Sequence, residues 1–552
     1  MNARDAKTIL TAAFCLLWGF IGLGLAAPRG GLVAHYRLAN DAKDSSGNRN
    51  HGIVHGVTFD AKQGATFDGI DDYIEVPNSK SLDLGTSDFS VAVWGHTAVE
   101  LDDTLGDILS KYDPAIRTGT TLSIMNYSGV ASAQPNHRNL FFGIDAARID
   151  YEWFDCGRPG EALSIFAMAV YDGKLYVGTF EAGHDKVGHV YRYEGGTEWA
   201  DCGCPNQCNM IPALAVYKGK LYAGGTRRNV VHDGMSTLPN QNPGGKVYRY
   251  EGGTTWTDCG GLGEADTVFS LTVFRGNLYG TTMYWPAKGM YRYDGGKKWT
   301  FCGNPGQRVG VLGVYNGHLY ATSFDGCGFF RYDGGTRWTR LKSIPETTQT
   351  YSIAVHQGKM CVGTWPNGLV YRYDDPNTWT SLGRIGDETE IEGMVVYNGK
   401  LFAGTLPLAR VYRYDGDTTW NYTGNLDLTP NAKYRRVWPL AVYQGKLFAG
   451  TLPSGHIFSL EAGKCVTYDK HLRPGWRHIA AVRQADLLRL YVDGRLVAQS
   501  SAFNPRDYDL SNTQPLRIGF GQHDYFNGRM KDLRIYDRAI DEAEVRDLTK
   551  RR

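Results

Sequence analysis

Between residues 165 and 463 apolar and small residues alternate on either side of a short polar turn, seven times over. The copies are AVYDGKLYVGT (169–179), AVYKGKLYAGG, TVFRGNLYGTT, GVYNGHLYATS, AVHQGKMCVGT, VVYNGKLFAGT and AVYQGKLFAGT (441–451). A period of two broken by a Gly-containing turn predicts a β-hairpin in each. A second element, VYRYEGGTEW (190–199), returns at 247–256, 290–299, 329–338, 370–379 and 411–420. The seventh copy, HIFSLEAG, lacks the tryptophan strand, and the missing piece stands ahead of the repeat in YEWFDCGRPG (151–160), with Trp153. Four strands recurring at roughly 40 to 57 residues predict propeller blades. A ring hides the strand edges that a linear array would expose. The seventh blade is therefore expected to take its inner strands from about 434–463 and its outer strand from YEWFDCG.

Period-two segments with Gly-Asn, Asp-Gly and Asn-Gly turns also flank the repeat. Before it run GLVAHYRLANDAKDSSGNRNHGIVHG and ATFDGIDDYIEVPNSKSLDLGTSDFSVAVW; after it come GWRHIAAVRQADLLRLYVDGRLVAQ, PLRIGF and YFNGRMKDLRIYDRAIDEAEVRDL. The pattern predicts an all-β chain in which a β-sandwich is interrupted by the propeller. The expected boundaries are 1–27, 28–147 and 466–552 for the leader and the two sandwich halves, with the propeller at 148–465. The insertion falls where a hairpin loop would lie, between NLFFGID and GWRHIAAV, and the two parts are expected to fold as semi-independent units joined by two crossings.

Composition narrows the function. A formal charge of +2, with arginines recurring singly in the repeat and no basic stripe, excludes a nucleic-acid partner. In MNARDAKTILTAAFCLLWGFIGLGLAAPRGG, Arg4 and Lys7 precede an apolar run from Ile9 to about Ala26, which reads as a secretory signal peptide. The expected location is secreted, cell-surface or periplasmic, with no membrane span once the signal is removed; an uncleaved anchor is the alternative. Nine cysteines remain: 156, 202, 204, 208, 259, 302, 327, 361 and 465. Most are expected to be buried as small apolar groups. A disulfide within CGCPNQC or between Cys302 and Cys327, and zinc at Cys202, Cys204 and Cys208 without a fourth ligand, are the alternatives.

The flanking motifs closely resemble the LamG-like, concanavalin A-like jelly roll of lectin and glucanase modules, over about 30–147 and 466–548. The spacing D/E-x-G-x-x-W in EGGTEW, DGGKKW and DGGTRW resembles the Asp-box of sialidase-like propellers, with glycines and aromatics similar to kelch. Arginine (Arg192, Arg249, Arg292, Arg331, Arg372, Arg413) replaces the Ser or Thr of that box, and blade five reads DDPNTW. By that resemblance Glu194, Glu251, Asp294, Asp333, Asp374 and Asp415 are turn acids rather than catalytic groups. The jelly-roll resemblance implies a calcium site at one rim, for which Asp68, Asp71 and Asp72 in FDGIDDYIEVP offer hard oxygens; their alternative role is to cap a turn.

The longer, more varied loops define the expected binding face. Nine residues before the apolar residue of each turn motif stand Glu161, Gln207, Glu264, Pro305, Glu346, Asp387 and Lys433. Four acids of seven around one mouth suit a cation or a hydroxyl-rich ligand. The expected ligand-binding residues are Glu161, Glu264, Trp285, Glu346, Trp365 and Asp387, with Glu388, Arg435 and Arg436 on the same face. Together these features point to an exported, non-catalytic protein that binds extracellular polysaccharide or glycoprotein. The alternatives are a glycoside hydrolase or lyase at the mouth and a protein-adhesion scaffold.

Overall fold

The computed structural model describes residues 30–148, 150–229, 240–283, 289–305, 308–374 and 378–550. Residues 1–27, expected to be a signal peptide, and Trp285 lie outside the described residues. The chain is all-β apart from the C-terminal helix Glu542–Thr549 and two short 3-10 turns. From Leu32 onward it forms one compact unit.

Both flanks build one sandwich. An eight-stranded sheet runs Thr58–Asp60, Gly64–Asp68, Asn527–Tyr536, Phe89–Thr97, Gly475–Gln484, Leu487–Val492 and Arg495–Gln499, with Leu32–Tyr36 also on Asn527–Tyr536. The facing seven-stranded sheet runs Ile53–His55, Tyr73–Val76, Leu516–Ile518, Gly106–Asp113, Thr118–Asn126, His137–Ala146 and Lys464–Tyr468. Inward residues of both sheets, among them Phe67, Val93, Phe142, Ile479 and Met530, share one core. The inserted segment leaves at the end of His137–Ala146 and returns at Lys464–Tyr468, two strands paired antiparallel. It thus replaces a hairpin loop of the sandwich. The returning strand begins at Lys464, so the second crossing comes a few residues earlier than the 465/466 boundary expected from sequence.

Seven four-stranded units make up the insert: five separate sheets and one eight-stranded sheet whose halves meet only at Phe180–Met210. Each begins with a hairpin whose two-residue turn has both central residues at positive φ, as in Asp172 (46°) and Gly173 (80°). That is the type I′ turn that matches strand twist, and glycine occupies the second site because a Cβ is disfavoured there. Apolar clusters fill every space between neighbours. One joins Ala213, Tyr222 and Cys259 of the second unit to Leu271, Leu278 and Tyr293 of the third. Another joins Ala441, Tyr443 and Phe448 of the last to Met168, Val170 and Tyr193 of the first. The ring is therefore closed, the arrangement of a β-propeller. Trp153 pairs with Leu460, so the last unit, Arg436–Tyr443, Lys446–Leu452 and Ile457–Leu460, receives its outer strand Trp153–Asp155 from ahead of the repeat.

The repeat residues have structural duties. Trp199, Trp256, Trp299, Trp338, Trp379 and Trp420 each donate the indole N–H to a carbonyl of the preceding unit, at 2.8–2.9 Å. Cys156, Cys202, Cys259 and Cys302 supply four of those carbonyls and bury their thiols between units. All nine cysteines are free thiols, so the disulfide alternatives do not form here. The repeat acids are each held by the arginine two residues earlier, as in Arg331–Asp333 at 2.9 Å and Arg372–Asp374 at 3.0 Å.

The expectation of semi-independent parts is overturned by the sandwich loop 127–136, which enters the propeller axis and bonds to the inner strand of every unit. Tyr127 donates its hydroxyl to Val396 O, and the Ser132 hydroxyl lies between Phe166 O and Pro212 O. Val314 N–H donates to Ser128 Oγ, Ile353 N–H to Gly129 O, and Val273 N–H to Gln134 Oε1. The Asn136 amide closes both a donor and an acceptor bond on Val442. Inner strands present unpaired backbone groups to the channel, and such groups need partners once buried. The sandwich supplies those partners at one end. The type I′ turns of that end also dock on it: Gly173 N–H donates to Asp469 O, Arg275 N–H to Leu101 O and Gly358 N–H to His523 O. A buried ion pair, Lys400–Asp145, pins the sixth unit to the sandwich strand His137–Ala146.

Candidate functional site

Because the sandwich fills one end of the axis, the opposite end carries the loops expected to bind. The four acids placed there do not converge. Glu161 is exposed and paired with Lys186, while Glu264, Glu346 and Asp387 are exposed on separate loops. Each lies beside a tyrosine of its own unit: Tyr191, Tyr291, Tyr371 and Tyr412. Burial pushes the pKa of these phenols above the usual tyrosine value, and the charge of the local acid adds to it. A Cβ at Gly160, Gly263 or Gly386 would stand 2.0, 2.6 or 2.5 Å from the hydroxyl of Tyr191, Tyr291 or Tyr412, so the chain packs tightly on the phenol there. This is a repeated local arrangement, one per unit. Trp365 is half-buried and packs against the axial cluster of Phe166, Phe269, Tyr351 and Trp438.

What does converge lies one layer deeper. The strand Glu390–Tyr397 opens the sixth unit, and the period of two puts Glu390 and Glu392 on one face. Glu392 occupies the level at which four other units place Phe166, Phe269, Tyr351 and Trp438 and two place Pro212 and Gly310, so it is the one carboxyl at a largely aromatic level. Both acids are buried, at 3% and 1% exposure. Arg436, from the neighbouring inner strand, approaches Glu392 at 2.9 Å. Burial pushes Glu392 well above the usual carboxyl range; the charge and hydrogen bond of Glu390 add to this, and Arg436 opposes it. Two buried carboxyls beside one guanidinium are the result. Glu388 is buried too, accepting from Leu408 N–H at 3.2 Å with Arg410 at 3.8 Å. The alternation Glu388-Thr-Glu390-Ile-Glu392 was visible in sequence at the start of an inner strand, and charge at those positions was the available signal.

On the sandwich, the three aspartates of FDGIDD do come together, their carboxylate oxygens within 4.8 Å of one another. Asp68 also accepts from the backbone N–H of Ile70, Asp71 and Asp72 at 2.8, 3.2 and 3.3 Å, so it caps the turn as well. Burial, then the charge of Asp68, raises Asp72 to about 6. Crowded oxygens with a strained proton affinity suit a hard cation. Among the described residues no other group of three or more His, Cys, Asp or Glu side chains comes together in this way, and Cys202, Cys204 and Cys208 do not.

Residues 457–546 match the Laminin_G_3 family model, described as the Concanavalin A-like lectin/glucanases superfamily. That span is the last propeller strand and most of the second sandwich half. No curated protein matches the chain. Among solved structures, a catalytically inactive virginiamycin B lyase from Staphylococcus aureus with quinupristin is 12% identical, covers 56% of this chain and 99% of its own, and has a TM-score of 0.44. YCF48 from Cyanidioschyzon merolae is 12% identical over 56% of this chain and 98% of its own, at 0.40. A protein of unknown function from Bacteroides thetaiotaomicron is 11% identical over 75% of this chain and 98% of its own, at 0.35.

Proposed function

We propose that the protein is an exported, non-catalytic binder of extracellular glycans or glycosylated surfaces. It presents a seven-bladed propeller on a LamG-like jelly roll. The observation that carries this reading is the lectin/glucanase family match on residues 457–546, in a sandwich fused to the propeller through its axis. The plugged end is committed to the sandwich, so the opposite end is the free face, where Trp365 and the Glu390–Glu392–Arg436 group would meet hydroxyl-rich ligand. Calcium at Asp68, Asp71 and Asp72 would neutralise three carboxylates and stiffen that rim.

The enzyme alternative is weighed by the carboxyl pair. Retaining glycosidases hold their carboxyls about 5–5.5 Å apart and inverting ones about 6.5–9.5 Å. Glu390 and Glu392 lie on one face of a single strand, both buried beside Arg436, rather than on opposed walls of an open cleft, which suits binding better than glycosidic cleavage. A glycan array with the full secreted chain, run with calcium and with chelator, tests the proposal. Binding to defined glycans is the expected result, and the absence of any glycan signal in either arm would overturn it. Release of reducing sugar, abolished in Glu392→Gln, would favour a hydrolase instead.

A further inference from the structure

The outward face of the eight-stranded sheet is divided. At one end Ala92, Ala480, Val482 and Tyr491 are covered by Val545 and Leu548 of the C-terminal helix. At the other end the same faces of the same strands carry Trp94, His96, Trp476 and His478. Register places Thr66, Arg529, His96 and Trp476 opposite one another across four adjacent strands, with Lys531, Trp94 and His478 forming the next row. Strands lie about 4.8 Å apart, so the first row spans about 14 Å, room for more than one sugar ring.

The charges in this patch are unbalanced. Lys531 Nζ stands 4.5 Å from the centre of the Trp476 ring and the Arg529 guanidinium 5.9 Å from it. Arg529 donates to Gln63 Oε1 at 2.6 Å and lies 3.2 Å from the His96 ring. Among the described residues neither Arg529 nor Lys531 forms an ion pair, whereas neighbouring Arg534 and Arg477 are neutralised by Asp532 and Asp493. Burial foremost, then Arg529, depresses protonation of His96, and the one acid among the described residues whose charge is seen to act on Arg529 is the exposed Asp60, beyond ion-pair distance. Two cations around one indole gain from its face, yet they repel each other. An anion between them would relieve this, and a pyranose carrying it would rest on the half-buried Trp476 and the His96 ring.

We infer that the Trp476–His96–Arg529–Lys531 patch is a subsite for a carboxylate-bearing sugar, a uronate unit of an acidic polysaccharide. The inference rests on the glycan-binding reading and names a ligand class and a place for it, remote from the propeller mouth. Its test is affinity electrophoresis of the full chain through gels containing polygalacturonate or its methyl ester, the same backbone with the carboxylates masked. Polygalacturonate should retard the wild type and the ester should not. Lys531→Gln, Arg529→Gln and Trp476→Ala should each weaken binding about tenfold, and Trp476→Phe, which keeps a ring, about threefold. Circular dichroism melts establish that each variant is folded; if Trp476→Ala is not, Trp476→Phe and Lys531→Gln carry the test. Equal retardation by polymer and ester would overturn the inference. So would loss of binding in the charge variants with none in the tryptophan variants, the mark of unspecific polyanion attraction. Neutral glycans bound while polygalacturonate is ignored would sink this inference and leave the general reading standing; no glycan bound at all would sink both.

Discussion

The two ends of the propeller axis are built from the same seven strands and meet opposite fates. At the sandwich end, loop 127–136 reaches all seven inner strands, and the uniform two-residue turns rest on sandwich backbone. At the other end Glu390 keeps a buried oxygen without a partner, and Glu388 one that meets only the distant Arg410. The difference teaches where to look for function. Unpartnered buried polar atoms occur at both ends, Gln134 Nε2, Asp103 Oδ2 and Asp469 Oδ1 among them at the sandwich end, but those of Glu388 and Glu390 lie at the end the sandwich does not cover.

Removing the plug should have the largest effect. Replacing 128–135 with a Gly-rich linker disrupts the eight hydrogen bonds this segment makes to the inner strands, worth about 1 kcal/mol each, comparable to the whole stability of a domain. No cooperatively folded protein is expected, as judged by soluble yield and near-ultraviolet circular dichroism. Residues 148–465 alone should fail for the same reason; a soluble fragment melting like the full chain would break the comparison. Next comes Lys400→Met, which strands the buried Asp145 carboxylate and should cost about 3–5 kcal/mol in urea unfolding. Adding Asp145→Leu should restore much of that loss, since neither charge is then buried alone.

A smaller effect concerns pH. Burial pushes Asp107 and Asp469, at the sandwich end, up to about 7, and also raises the coupled Asp103 and Asp524. An acid with a raised folded value contributes stability that is full below its unfolded value near 4 and gone above the folded one. His356, His471 and His523, depressed by burial to about 4, 4 and 3, act the other way, losing stability as pH falls below about 6.5. Above pH 6.5 the carboxyls outweigh Lys111, which burial lowers to about 8 and which acts the other way, so stability should fall by about 1 kcal/mol by pH 8. Asp107→Asn should flatten that slope in denaturant titrations; an unchanged slope would mean the interface is wetter than it looks. The smallest change is expected for Glu392→Gln at the free end, within about 1 kcal/mol in the same titration, because burial and Glu390 already disfavour its charge and the amide keeps the shape and an acceptor for Arg436. A large loss there would erase the contrast between the two ends.

The repeat itself was legible because hairpin turns and period-two strands are local: AVYDGKLYVGT specifies a type I′ hairpin without reference to anything distant. Ring closure was legible too, since the count of tryptophans left one strand over, and Trp153 against Leu460 is where it went. The mouth acids were readable as residues but not as a site, because each answers to a tyrosine of its own unit. Nothing along the chain distinguishes TLSIMNYSGVASAQPNHRNL, the sandwich segment that spans the axis, from an ordinary loop between two strands. The ten residues 127–136, YSGVASAQPN, acquire their role only when seven inner strands converge around them and leave backbone groups to be paired. Local pattern thus determined the elements and their order. Tertiary structure decided which end of the axis was sealed, because pairing buried backbone groups is a property of strands brought together from all along the chain.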